Sequence, residues 1–316
     1  MNARGFDYAL VTRFNLPSEG AESVIRARDG WLRDRVGLFE RYCVPSVRSQ
    51  EDQRFEWIVY FDPESPTWLL DWIADASKDG RFHAVFRASV PRTALVEDLR
   101  RITGAGGTGI ITTNLDNDDA LSSSFVRRIR EAADANAAQH GGDSRVAVYL
   151  ENGLILGSSG AHRRRDRFNA FCSVAEGWTD PQTCWLDWHN RLPLHMESIG
   201  LRGAPGWLQV VHGSNVSNRI HGRLVSPAPH RDLFPGALEG VPVPRNGALA
   251  IDAAVREPIR LVRDGARRTL KGVALAVLGR DGLTHAKGVV AQKTAKPVLA
   301  AAAVQTQQSP NLGGPQ

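Results

Sequence analysis

Three observations predict an α/β protein with a mixed sheet flanked by helices. Short apolar runs alternate with longer amphipathic stretches through the first half of the chain, the pattern of strands connected by helices. Charged residues stand where several apolar runs stop, at Arg13, Asp62 and the cluster Asp116, Asp118 and Asp119, and open α/β sheets bind ligands beyond the carboxyl ends of their strands. Two alternating runs between Arg145 and Leu156 flank Asn152-Gly153, the strongest short hairpin signal, so the sheet is expected to become mixed there.

The elements follow in order. Strands are expected at Tyr8–Phe14, Phe55–Phe61, Phe82–Phe86 and Gly109–Asn114, and helices at Trp31–Tyr42, Thr67–Ser77, Arg92–Ile102 and Ser122–Gln139. Gly104-Ala-Gly-Gly-Thr-Gly109 spells the dinucleotide-binding fingerprint. That motif requires a strand before it and a helix after it. Here the order is reversed, so the segment reads as a helix-to-strand turn.

Composition narrows the classes of function. The chain has 316 residues, 42% hydrophobic and 23% charged, an ordinary globular balance with no apolar window long enough to span a bilayer. The apolar run from Tyr8 breaks at Arg13, so no signal peptide is expected. Three cysteines form no Cys-x-x-Cys pair, which fits packing residues in a reducing, cytoplasmic compartment. In that compartment the Asn215-Val-Ser217 sequon carries little weight. A net charge of +5 suits phosphorylated substrates, nucleic acid or anionic lipid without choosing among them.

The stretch from Gly109 to Leu121 carries the chemistry. A β-branched run ends in three carboxylates within four residues, and oxygen-only ligands select Mg²⁺ or Mn²⁺. An Asp-x-Asp at the end of a strand is placed to hold a metal-bound diphosphate. Two plainer readings stay open: one Asp caps the following helix, or the cluster is a solvated acidic turn. An EF-hand does not fit, because Leu121 and Arg127 stand where its Gly and Glu belong. A second strand-like run, Trp207 to Val211, delivers His212 at its end. Neutral imidazole is an acceptable Mn²⁺ ligand, and Gly213 would allow backbone to approach a diphosphate.

With these segments in view the chain resembles the bacterial rhamnosyltransferase family, whose members look like GT-A glycosyltransferases. The matching pieces are Thr12-Arg-Phe-Asn15, Trp31-Leu32, Leu38-Phe39, Cys43-Val-Pro-Ser46, Phe55 to Val59 leading to Asp62, Thr113 to Leu121, and Trp207 to Asn218. The resemblance implies a GT-A-like, Rossmann-type domain, a nucleoside-diphosphate-sugar donor, a divalent metal and a glycan or lipid-linked acceptor. It places Thr12, Arg13 and Asp62 near the nucleotide, Asp116 at ribose or metal, and Asp118 at the metal and diphosphate, where His212 at its own strand end is the candidate to complete the shell. Arg13 and one of Arg163 to Arg165 are candidates for further contacts to the phosphates. For a general base, Glu176 is preferred over Asp187, because the tryptophans Trp178, Trp185 and Trp188 nearby suit sugar rings. The same tryptophans also suit a core. The alternatives are a catalytically inactive glycan-binding or scaffold protein and, more distantly, a nucleotidyltransferase.

The expected organisation is a catalytic domain over residues 1–250, a basic amphipathic helical extension over 251–286 and a flexible tail over 287–316. Ile259, Val262, Ala266, Leu270, Val273 and Val277 recur at helical spacing. Residues 256–280 hold seven Arg or Lys against two acids. The expected arrangement packs the apolar face on the catalytic domain and leaves the basic face solvated, with contact to an anionic inner membrane face as the rival. From about Lys287 the chain is Ala-, Gln- and Pro-rich, too poor in apolar pattern for a core.

Overall fold

The computed structural model describes residues 5–17, 30–142, 144–212, 219–263 and 265. The expected strands and helices of the first half are present within a few residues of their expected limits. Strands β1 (Asp7–Arg13), β2 (Glu56–Phe61), β3 (His83–Phe86) and β4 (Gly109–Asn114) pair in parallel in the spatial order β3-β2-β1-β4. This is the 3-2-1-4 order at the centre of a doubly wound α/β sheet. The runs are apolar throughout because both faces are covered. Along β1, Tyr8 and Leu10 enter one core layer while Ala9 and Val11 enter the other.

Helices α1 (Trp31–Leu38), α2 (Val44–Arg48), α3 (Thr67–Ala76), α4 (Arg92–Thr103) and α5 (Phe125–His140) accompany the sheet. Between α1 and α2 lies a π-helical turn, Phe39–Cys43, a feature that recurs at functional sites. The glycine-rich segment is the expected helix-to-strand turn: Gly104 ends α4 in the left-handed conformation, and β4 begins at Gly109.

The sheet becomes mixed, but not through the expected hairpin. Strand β6 (Val146–Leu150) joins the first sheet beside the antiparallel β9 (Ser173–Gly177), with β10 (Glu197–Leu201) at the edge. Strand β7 (Asn152–Gly157) instead turns into a second sheet, pairing with β8 (Gly160–Arg165) and β11 (Trp207–Val210). Glu151 is the point of exchange. Its carboxylate is buried and held by Arg165 at 2.8 Å and Arg202 at 3.3 Å. Gly153 is not a turn residue: a Cβ there would come within 2.0 to 2.3 Å of the Trp207 indole, so the glycine is the flat seat for that ring. The mixed sheet flanked by helices is thus the GT-A-like, Rossmann-type architecture that the resemblance implies.

The second sheet runs β12-β8-β7-β11-β5, where β5 is Ala120–Leu121 and β12 is Arg223–Val225. Its core holds Leu154, Leu208, Phe234 and Leu238. Helix α6 (Asn246–Ile251) passes through a π-helical turn, Asp252–Arg256, into further helix over residues 257–263. Apart from Gly265, the rest of the expected extension and the whole expected tail lie outside the described residues.

Candidate active site

Strand β4, the central strand of the first sheet, delivers the carboxylates just beyond its C-terminal end. Beyond Asn114 the chain makes a turn, with Leu115 N–H donating to Val11 O at 3.1 Å and Asp119 N–H to Asp116 O at 3.3 Å, then enters β5. Because β5 pairs antiparallel with β11, in the register Leu121 to Trp207 and Ala120 to Leu208, the end of β11 returns past the carboxylates. His212 therefore arrives with its Nε2 2.9 Å from Asp118 Oδ2. Helix α5 starts later, at Phe125, and neither Asp118 nor Asp119 caps it.

The three carboxylates differ in surroundings. Asp116 is exposed to the crevice, whereas Asp118 and Asp119 are buried. Asp118 Oδ2 also receives Arg35 Nη1 at 2.7 Å. Burial opposes ionisation of Asp118, but His212 and Arg35 outweigh it and hold the carboxyl below the usual range. Asp119 Oδ1 accepts Val210 N–H at 2.8 Å, while its Oδ2 is buried with no hydrogen-bond partner among the described residues. Burial first, then the charges of Asp118 and Asp116, push the Asp119 carboxyl well above the usual range.

Sequence reasoning missed Arg35 and Asn117. Arg35 Nη1 also donates to Asn117 Oδ1 at 2.9 Å, and Asn117 Nδ2 donates to Phe14 O at 2.6 Å and Arg13 O at 3.2 Å. Asn117 thereby pins the carboxylate turn to the end of β1. No local pattern marks Arg35, because its partner lies in a different element.

A cavity of about 580 Å³ opens at these strand ends, lined by Arg13, Asn114, Asp116, Arg164, Asp187 and Trp188 among others. The Arg13 guanidinium lies 4.0 Å from the centre of the Trp185 ring, whose Nε1 donates to Asn114 Oδ1 at 2.8 Å. Asp187 Oδ2 accepts from His195 Nε2 at 2.9 Å and approaches Arg191 Nε at 3.4 Å, and its Oδ1 accepts Trp188 N–H at 2.8 Å. The hydrogen bond from His195, then that from Trp188 N–H, holds the Asp187 carboxyl below its usual range. Trp188 is 73% exposed beside it.

Other expected site residues are elsewhere. Glu176 pairs with Ile110, near the opposite end of β4 from Asp116. It is buried and accepts from Arg145 Nε at 2.6 Å, Gln182 N–H at 2.9 Å and Thr183 N–H at 2.7 Å. That carboxylate anchors a loop and is not brought to the cavity. Trp178 is at the same remote end, donating from Nε1 to Asp7 Oδ2 at 3.1 Å. Thr12 is buried, with Oγ1 accepting Trp57 Nε1 at 3.0 Å. Asp62 ends β2 and fixes its own turn, its Oδ1 accepting Glu64 N–H at 2.9 Å. Neither residue lines the cavity. Of the arginine run, Arg164 lines the cavity, and Arg165 is committed to Glu151. Gly213 to Asn218 lie outside the described residues.

Asp118 and His212 bring a carboxylate oxygen and an imidazole nitrogen together, atom types that are compatible with Mn²⁺ or Mg²⁺. His212 Nε2 and Asp118 Oδ2 stand at hydrogen-bond distance, 2.9 Å, and are the two atoms that would hold such an ion. Arg35 already supplies positive charge to the same oxygen. Among the described residues no group of three or more His, Cys, Asp or Glu side chains is arranged to hold a metal ion. Mg²⁺-type sites commonly use one or two carboxylates and complete their shell with phosphate and water.

A search of curated proteins gave no match. Among solved structures the chain is similar to S. aureus TarS 1–349 in complex with UDP, with 9% identity, 76% of this chain and 67% of that chain covered, and a TM-score of 0.37. It is similar to the inositol-1-phosphate CTP transferase from T. maritima, with 10% identity, coverage of 76% and 99%, and a TM-score of 0.34. A Desulfovibrio desulfuricans G20 protein described as a "putative nucleotide-diphospho-sugar transferase" matches at 7% identity, coverage of 66% and 82%, and a TM-score of 0.32. The family model described as "Putative rhamnosyl transferase" matches residues 7–224. That span runs from β1 into β12 and contains the whole Asp116, Asp118 and His212 constellation, so the chain belongs to the rhamnosyl transferase family and is a glycosyltransferase.

Proposed function

We propose that this glycosyltransferase takes a sugar from a nucleoside-diphosphate-sugar and moves it to a hydroxyl of a glycan or lipid-linked glycan, with rhamnose the first sugar to test. The observation that carries the donor reading is the approach of Asp118 and His212 from two sheets to 2.9 Å, beside a cavity with a volume typical of small-molecule sites.

In this reading Asp118 and His212, with Asp116, hold Mn²⁺ or Mg²⁺. The ion would relieve charge on the departing diphosphate. Loading it requires the Arg35 contact at Asp118 to weaken. Arg13 and Arg164 line the cavity and supply charge-assisted contacts to phosphate. Asp187 replaces Glu176 as the base, because Asp187 faces the cavity and Glu176 does not. The acceptor oxygen forms a bond to the anomeric carbon as the bond from that carbon to the phosphate oxygen breaks. The electron pair leaves on the diphosphate, and the acceptor proton passes to Asp187. His195 and Arg191 orient that carboxylate, and the exposed Trp188 ring offers a sugar face its apolar surface. Direct displacement with a base inverts the anomeric centre.

The deciding experiment is a thermal-shift panel of nucleoside diphosphates and their sugars, with and without Mn²⁺. Saturation at about 100 times Kd stabilises the native state by roughly 2.7 kcal/mol. One compound should raise the melting temperature more with Mn²⁺ than without, and Asp118→Asn should remove the difference. Stabilisation by none of them would overturn the donor reading.

A further inference from the structure

The helix over residues 246–263 is mounted with its charged face inward. Asp252 is almost fully buried, and its Oδ2 accepts Leu224 N–H of β12 at 2.8 Å. Both of its oxygens are held by the Arg260 guanidinium, at 2.9 and 2.7 Å, and Arg260 also donates to Gly222 O at 2.8 Å. A buried carboxylate needs such a partner, so this ion pair dictates which face of the helix meets the domain. The opposite face carries Ile251, Val255, Ile259 and Val262, each more than half exposed. Their spacing places them on one stripe. This reverses the expected orientation, in which Ile259 and Val262 pack inward and Arg260 is solvated.

A surface helix ordinarily turns its apolar stripe to the core, and a contiguous exposed stripe marks an interaction surface. Exposed Arg245, Arg256 and Arg263 flank this one. Among the described residues of this helix the two acids are engaged, Asp252 by Arg260 and Glu257 by Arg223 at 4.0 Å. A second copy of this face would set two basic rims against each other. An anionic lipid surface complements both the stripe and the rim. No helix among the described residues is long and apolar enough to cross a membrane, so the contact lies in the plane of the surface.

We propose that residues 246–263 form a docking surface for an anionic membrane, with Ile251, Val255, Ile259 and Val262 entering at headgroup level and Arg245, Arg256 and Arg263 meeting lipid phosphates. The proposal is independent of the donor chemistry.

Co-sedimentation of the full-length chain with phosphatidylcholine vesicles, with and without phosphatidylglycerol, tests it. The protein should pellet with the anionic vesicles only, and less as salt rises. The triple variant Val255→Asn, Ile259→Asn, Val262→Asn should keep its melting temperature and bind at least about tenfold more weakly. Arg256→Gln with Arg263→Gln should bind weaker by roughly tenfold or more. Vesicle binding that neither variant alters would overturn the proposal, as would absence of binding. A drop in melting temperature for the triple variant would mean that the stripe is covered by the protein itself. A wild-type dimer that the triple variant dissociates would assign the face to a second copy. Either result would also overturn it.

Discussion

His212 Nε2 and Asp118 Oδ2 are 2.9 Å apart although 94 residues separate them in the chain. The contact exists because β5, which directly follows the carboxylate turn, pairs antiparallel with β11, which directly precedes His212. A three-residue cluster that is only suggestive in sequence thereby gains an imidazole partner from the second sheet.

If this pair holds the cation, Asp118→Asn should lower transfer by about 100-fold or more while leaving the melting temperature near normal, because charge changes and volume does not. His212→Ala should lose less, and the loss should shrink as Mn²⁺ rises. Steady-state rates over a Mn²⁺ titration separate the two. Near-normal turnover of Asp118→Asn would remove the metal assignment.

Arg35 holds the carboxylate oxygen for which a cation would have to compete. Arg35→Gln should therefore tighten Mn²⁺ binding measured by titration calorimetry, since the variant no longer neutralises Asp118. Weaker Mn²⁺ binding would mean that Arg35 instead positions Asp118 for the ion.

The two candidate bases make opposite predictions. Asp187→Asn should reduce kcat by roughly 100-fold with donor affinity unchanged, as for a lost general base. Glu176→Gln should act on stability, by about 2 kcal/mol or more, because the buried carboxylate accepts three hydrogen bonds, one of them from Arg145. Denaturant melts and single-turnover rates on both variants decide between these roles. Reversed behaviour of the pair would restore Glu176 as the base.

Asp119 gives a pH signature. Its folded carboxyl is raised, so its contribution is complete below the unfolded value of about 3.9 and is lost as pH climbs toward the folded value. Asp119→Asn keeps an oxygen for Val210 N–H and removes the buried charge. Its stability should match the wild type near pH 4 and exceed it increasingly toward neutrality. Parallel curves across that range would show that Asp119 does not titrate differently on folding.

Gly153→Ala should cost about 1–3 kcal/mol, the usual range for overpacking, because the new methyl meets the Trp207 ring at 2.0 to 2.3 Å. Since Trp207 begins β11, the strain passes along the strand toward His212. Loss of Mn²⁺ affinity together with a lower melting temperature is the expected pair of readouts.

Much of the first sheet was legible because local pattern determines it: β-branched runs such as Gly109–Asn114 can bury both faces, and Gly104 ends α4 in a conformation that favours glycine. The carboxylates at the end of β4 were legible for the same reason. Pairing across long separations is not written in local periodicity. Asn152-Gly153 has the letters of a hairpin, yet Trp207 needs the bare glycine face and Glu151 passes the chain from one sheet to the other. Glu176 and Asp187 look equivalent as letters, and only the register of β9 on β4 sends one away from the cavity. The apolar and basic stripes of the C-terminal helix were visible by spacing, but their direction was not. A single buried carboxylate, Asp252, takes Arg260 as its partner, and with that pair facing the domain the apolar stripe faces outward.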